Sequence, residues 1–279
     1  MFFPIFGGKI NPIVFFKTTN GGVFMSDGNR YNIIDELRGL AVVCMIVYHA
    51  LFTLSQVFGM SFAASALDFF KPAEPYFAGL FIFISGLCSR LSSDNTKRGI
   101  KLVVIAVAIS AVTIIVLPSF GMYNYEIYFG ILHLLALSIL LFSATSKFLD
   151  KITPFLGLII FLALFIFTYR VPQGYIGIDS FGREIPDVFY SVPFLFFLGF
   201  PSENFFSADY FPILPWSMLF IAGTFAGVWA SKGKLPSFFS KSCIVPLQWF
   251  GKNALMIYIL HQPVIYGAVW VVQRLIGPQ

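Results

Sequence analysis

His49, His133 and His261 are the only histidines in this 279-residue chain, and each lies inside an apolar run: RGLAVVCMIVYHALF, YFGILHLLALS and LMIYILHQPVIY. A titratable side chain at membrane depth is costly unless it is paired, turned into the bundle or open to a wet cavity, so its first reading is a working site. Neutral imidazole in a desolvated cavity can take a proton from a hydroxyl or an amine, which is general-base chemistry. Arg38 precedes His49 by eleven positions. On a helix that is three turns, which puts both side chains on one face with a rise of about 16 Å between them. One such helix touches both ends of an elongated ligand, with Asp35 placed three residues before Arg38 to hold its guanidinium. Plain structural readings stand beside these. Arg38 also suits a snorkelling anchor, and each histidine suits a hydrogen bond that ties two helices together. His133 enters its segment close to the outer side, and His261 is followed by Gln262 and Pro263, where the proline is expected to interrupt the helix and leave carbonyls to line a cavity. Spacing alone does not separate these two.

The elements that must position these residues are membrane helices. With 58% hydrophobic and 11% charged residues and a mean hydropathy of +0.83, the chain cannot present a soluble surface as a monomer. Its fold class is therefore all-α, a polytopic integral membrane helical bundle. Apolar runs place about seven spanning helices at 37–58, 76–92, 100–117, 127–145, 154–169, 212–230 and 248–272. The run Val188 to Phe200, broken by Pro193, reaches only about 20 Å as a helix and reads as a short re-entrant or interfacial segment. Residues 1–28 read as an N-terminal arm, or as an upstream start ahead of Met25, and residues 29–279 as a single transmembrane domain. No clear cleavage site marks a signal peptide.

Charge sets the expected orientation. Arg90, Lys97, Arg98 and Lys101, then Lys147 and Lys151, then Lys232, Lys234 and Lys241 fall in alternate loops, which makes those loops cytoplasmic and the N-terminus cytoplasmic with them. Residues 170–211, holding Asp179, Glu184, Asp187, Glu203 and Asp209, form one long outer region, read either as the wall of a pocket or as a solvated cap. The net charge of +5 reports membrane orientation and contact with lipid head groups; no interleaved basic and aromatic patch points to nucleic acid. Cys44, Cys88 and Cys243 have no paired spacing and read as small apolar fillers. The histidines with Asp209 lack the short spacing of a metal-binding helix, so no metal is expected. GxSxG, P-loop, HExxH and Rossmann patterns are all missing.

Four patches, IDELRGLAVVCMIVYH at 34–49, AGLFIFISGLCSRLS at 78–92, FGILHLLALSILL at 129–141 and the pair ADYFPILPW at 208–216 with GKNALMIYILHQPV at 251–264, together resemble the bacterial branch of the heparan-alpha-glucosaminide N-acetyltransferase catalytic domain, formerly a domain of unknown function, within the wider transmembrane acyltransferase group. The resemblance implies an integral membrane enzyme, in a bacterial plasma membrane, that moves an acyl group from cytoplasmic acyl-CoA to a sugar or envelope glycan presented from the other side. Acetyl-CoA or another acyl-CoA would be the co-substrate. The spacing of Arg38 and His49 is also similar to a motif of membrane O-acyltransferases, which implies a catalytic His49 and a donor-binding Arg38. The chain departs from the eukaryotic lysosomal branch, which lacks a histidine at the position of His49. That departure makes the fold a firmer expectation than the mechanism.

On this reading His49, His133 and His261 are the catalytic candidates. Arg38, Arg90, Arg98 and Lys101 form a basic rim suited to CoA phosphates, although positive-inside orientation alone also accounts for such a rim. Asp209, Trp216, Asn253 and Tyr258 are the acceptor-side candidates, with helix packing as their plain role, as for Ser85 and Gly86. Membrane lipids are expected partners, and the bundle is compatible with a homo-oligomer. Two rivals are a proton-coupled transporter of a small polar solute, with the histidines as a relay, and a noncatalytic envelope scaffold.

Overall fold

The computed structural model describes residues 31–276, so the arm at 1–28 lies outside the described residues. Helix α1 (Asn32–Phe52) runs on through a π-helical turn, Thr53–Val57. A short helix α2 (Ser61–Phe70) and a 3₁₀ turn, Lys71–Ala73, lead into α3 (Glu74–Ser89). Helix α4 (Asn95–Ala111) likewise passes through a π turn, Val112–Val116, into a closing turn α5 (Leu117–Ser119). Helices α6 (Ile131–Leu149), α7 (Pro154–Thr168) and α8 (Ile213–Ser231) follow, then α9 (Val245–Lys252) and α10 (Ala254–Ile276). Six of these runs are long and apolar enough to cross a membrane: 32–57, 95–119, 131–149, 154–173, 213–231 and 254–272. The chain is an integral membrane helical bundle.

The expected count of seven spans becomes six by that measure. The expected second span is α3, whose 16 residues give about 24 Å of helix, short of the hydrocarbon core of about 30 Å. Pro72 and Pro75 set its beginning, since the first turn of a helix is where proline is best accommodated. Helix α3 still returns the chain across the bundle. Its Cys88 meets Arg38 and its Phe77 meets Tyr48, so α3 runs antiparallel to α1. It runs parallel to α8, where close backbone approach demands glycine: a Cβ on Gly86 would collide with the Phe220 carbonyl, and one on Gly223 with the Phe83 carbonyl. Helices α7 and α8 pack antiparallel through Phe161 on Phe225 and Phe165 and Tyr169 on Trp216.

The basic loops gather at one end of the bundle. Tyr31 donates to the Ala230 carbonyl, Asn32 to the Ser240 carbonyl, and Arg90 pairs with Asp150. At the other end residues 170–212 hold a two-stranded hairpin, β1 (Tyr175–Ile176) against β2 (Arg183–Glu184), and a set of 3₁₀ turns. The short run around Pro193 is one of these, a six-residue 3₁₀ helix closed by Gly199 at φ 119°. Only glycine takes that left-handed conformation cheaply. At roughly 2 Å per residue the segment is far too short to cross.

Candidate functional site

Two of the three histidines come together. The rings of His49 on α1 and His261 on α10 lie 4.9 Å apart, centroid to centroid. Gln262 donates from Nε2 to His49 Nδ1 at 2.9 Å, and its Oε1 accepts from Thr53 Oγ1 at 3.3 Å. Thr53 opens the π turn of α1 and is buried. His261 Nδ1 lies 2.7 Å from the Tyr258 carbonyl, while its Nε2 is buried with no hydrogen-bond partner. Helix α10 continues through Pro263, so the interruption expected there does not occur. What the proline does remove is the backbone N–H that would otherwise bond the Ile259 carbonyl.

A cavity of about 50 Å³ opens on the His49 side of the pair, lined by His49, Tyr48, Glu74, Asp209 and Tyr258 among apolar residues of α1 and α3 with Ile131 and Phe211. Tyr258 donates to Asp209 Oδ2 at 2.6 Å, and the Ile131 N–H donates to the same oxygen at 3.0 Å. Burial pushes the Asp209 carboxyl above the ordinary carboxylate range, and the two donated bonds act against that rise. The Tyr48 hydroxyl bonds to Glu74, which also lies within electrostatic reach of Asp209. Glu74, Tyr48, Gln262 and Thr53 are absent from the sequence-level candidates. The signal for Glu74 was its place as an acid at the edge of an apolar run, between Pro72 and Pro75.

His133 stands apart from this pair. It occupies the first turn of α6, where its Nδ1 accepts from the Gly130 N–H at 3.2 Å and its Nε2 meets Ser110 Oγ at 3.3 Å. Ser110 in turn donates to the Ile127 carbonyl at 2.6 Å. Both ring nitrogens are thus taken by a link between α4 and α6.

The four basic candidates divide in a similar way. Arg38 donates from Nε to the Gly251 carbonyl at 2.6 Å and from Nη2 to Asp35 at 2.6 Å, with Nη1 lying 3.8 Å from Cys88 Sγ. Arg90 is spent on Thr224, Asp150 and the face of Phe142, although its Nη2 is buried without a partner. Arg98 meets only Ser89 Oγ at 3.3 Å among the described residues, and it lies within electrostatic reach of Arg38 and Cys88. Lys101 is exposed. With Arg98 near an Arg38 that pairs with Asp35, two guanidinium groups share this end of the bundle, a concentration of positive charge suited to an anion.

Of the acceptor-side candidates, Asp209 and Tyr258 line the cavity, whereas Trp216 is buried in the aromatic core against Phe165, Tyr169 and Phe211. Asn253 bonds the Trp249 carbonyl between α9 and α10, at the arginine end of the bundle. Ser85 donates to the Phe81 carbonyl within its own helix. Among the described residues no group of three or more His, Cys, Asp or Glu side chains is placed to hold a metal ion.

No curated protein and no solved structure matches the chain. One family model does, over residues 30–263, and it takes in both ends of α1, the cavity and His261. By that match the chain belongs to the heparan-alpha-glucosaminide N-acetyltransferase catalytic family.

Proposed function

We propose that this membrane transferase moves an acyl group, acetyl in the first instance, from acyl-CoA to a hydroxyl or amine of a sugar or envelope glycan. The observation that carries the reading is one helix with two chemistries. At one end of α1 Arg98 adds positive charge beside the Arg38–Asp35 pair, and eleven residues on from Arg38 His49 meets His261 and lines a small cavity. The rise of about 16 Å between those ends suits an extended donor whose phosphates rest at the arginine end and whose thioester reaches the histidines.

In this reading the arginine end and the N-terminus face the cytoplasm of a bacterial plasma membrane, which the clustering of the basic loops supports through the positive-inside bias. The acceptor then enters from the opposite face, past Asp209, Glu74 and Tyr258, whose oxygens suit the hydroxyl or amine groups of a sugar.

Purified protein in nanodiscs tests the reading directly. Saturable acetyl-CoA binding, weakened by Arg98→Ala, with CoA release lost in His49→Ala, is the expected result. A folded wild type that binds no acetyl-CoA would overturn the donor assignment and turn attention to proton-coupled transport.

A further inference from the structure

The two neighbouring histidines are not equivalent, because one Nδ1 meets a backbone carbonyl and the other a side-chain amide nitrogen, an arrangement that favours opposite tautomers. A carbonyl oxygen can only accept, so the 2.7 Å contact between His261 Nδ1 and the Tyr258 carbonyl requires a proton on Nδ1. In the neutral ring Nε2 then carries a bare lone pair. That Nε2 is buried with no partner, in a residue only 8% exposed, and a buried polar atom left unpaired is costly unless something is bound there. His49 is the reverse case. With the Gln262 amide oriented as in the structure, Nε2 toward His49 and Oε1 toward Thr53, His49 Nδ1 accepts, its proton sits on Nε2 and that nitrogen is a donor.

We propose that His261 Nε2 is the proton acceptor of the reaction, that His49 Nε2–H is the donor to the thioester carbonyl, and that Gln262 is the positioning residue that sets the tautomer of His49. This rests on the acyl-transfer reading and moves the base from His49 to His261. The acceptor, written HX, attacks the thioester carbonyl carbon and forms the C–X bond while its proton passes to His261 Nε2. The carbonyl oxygen becomes an oxyanion held by His49 Nε2–H. Collapse re-forms the carbonyl and breaks the C–S bond. The departing thiolate takes the proton back from His261, so acyl-CoA and HX yield acyl-X and CoA thiol with no other reactant.

Nitrogen NMR of the wild type labelled with [15N]histidine, in nanodiscs, reads the tautomers without any variant; the His49→Gln and His261→Gln spectra assign the signals. The expected result is a protonated Nδ1 on His261 and a protonated Nε2 on His49, with the His49 pattern reversed by Gln262→Glu, whose carboxylate accepts from Nδ1–H. A wild-type spectrum with His261 protonated on Nε2 would overturn the proposal.

The kinetic arm uses acetyl-CoA with water as the acceptor, read as CoA thiol release. His261→Gln loses the base and falls about 10³-fold, whereas His49→Gln keeps an N–H donor and stays within roughly tenfold of wild type. His49→Ala, which keeps no donor, falls about 10²-fold. An active wild type in which the two glutamine variants fall in the opposite order refutes this division of roles and leaves acyl transfer standing. A wild type that neither binds nor turns over acetyl-CoA sinks both together.

Discussion

The two ends of α1 are built on opposite plans. At the arginine end nearly every polar group is spoken for: Arg38 has partners on all three of its nitrogens, and Glu36 Oε1 accepts from Ser242 Oγ, the Cys243 N–H and Gln248 Nε2 at 3.2, 2.8 and 3.1 Å. Gly39 and Gly251 let the backbones of α1 and α9 touch, since a Cβ on either would collide with a carbonyl of the other helix. At the histidine end α1 loosens into a π turn, a cavity opens, and His261 Nε2 is left without a partner. One end is a fastening, and the other keeps polar groups open for the proposed reaction. The two are linked by register, because Arg38 bonds Gly251 and His49 bonds Gln262, both at a separation of 213 positions. Eleven residues on α1 therefore match eleven residues across α9 and α10, so the lock at the first pair aligns the second.

The largest break in this contrast comes from filling the fastening. Gly251→Val drives a side chain into the Asp35 carbonyl and is expected to cost about 3 kcal/mol or more, read as a lost or strongly lowered unfolding transition in nanodiscs. A variant that melts like the wild type would show that the close approach is not needed. Next in size is Glu36→Ala, which leaves three donors without their shared acceptor at a cost of about 2 kcal/mol. It is also expected to lower turnover by shifting His49 against Gln262. Reduced stability with an unchanged rate per folded molecule would uncouple the two ends.

Much of this molecule is legible from its residue types. Apolar runs give the order and rough limits of the helices, and alternating basic loops identify which helix ends share a side. The length of α3 was harder to read, because AGLFIFISGL continues apolar into Cys88 while the proline pair at its start takes effect only through helix geometry. The site was half legible. The spacing of Arg38 and His49 belongs to one helix and survives in any helical model. Thr53 lies one turn beyond His49 on the same helical run, but Glu74 and Gln262 come from distant segments, and nothing local in the sequence ties them to His49. His133 and His261 each follow an Ile-Leu pair, and what separates them is the partner of each ring nitrogen, which the sequence does not show.

At the histidine end the effects are smaller. Tyr258→Phe removes the hydroxyl that donates to Asp209, at a cost of about 1.5 kcal/mol. The pH dependence has a definite sign. Burial raises the Asp209 carboxyl in the fold, so above the unfolded aspartate value of about 3.9 the unfolded chain releases its proton more readily, and stability is lost as the pH rises through that window. Removing Tyr258 takes away one of the bonds that restrain the rise. The destabilisation by Tyr258→Phe should therefore be larger at neutral pH than at pH near 4, in thermal unfolding followed across that range. An equal loss at both pH values would mean that the hydroxyl does not act on a charged carboxyl.

The smallest expected effect separates the histidines most cleanly. In His133 both nitrogens are occupied, Nδ1 by the Gly130 N–H and Nε2 by Ser110, so no lone pair or proton remains for a substrate. His133→Ala should cost about 1 kcal/mol of stability through the start of α6. The rate of CoA release per folded molecule should stay that of the wild type, while the same change at His261 abolishes it. The ratio of these two rates compares an imidazole whose valences are closed by the fold with one whose valence the fold leaves open. A His133→Ala enzyme as inactive as His261→Ala, yet equally well folded, would place the third histidine in the reaction and break the contrast between occupied and unoccupied nitrogens on which the site is read.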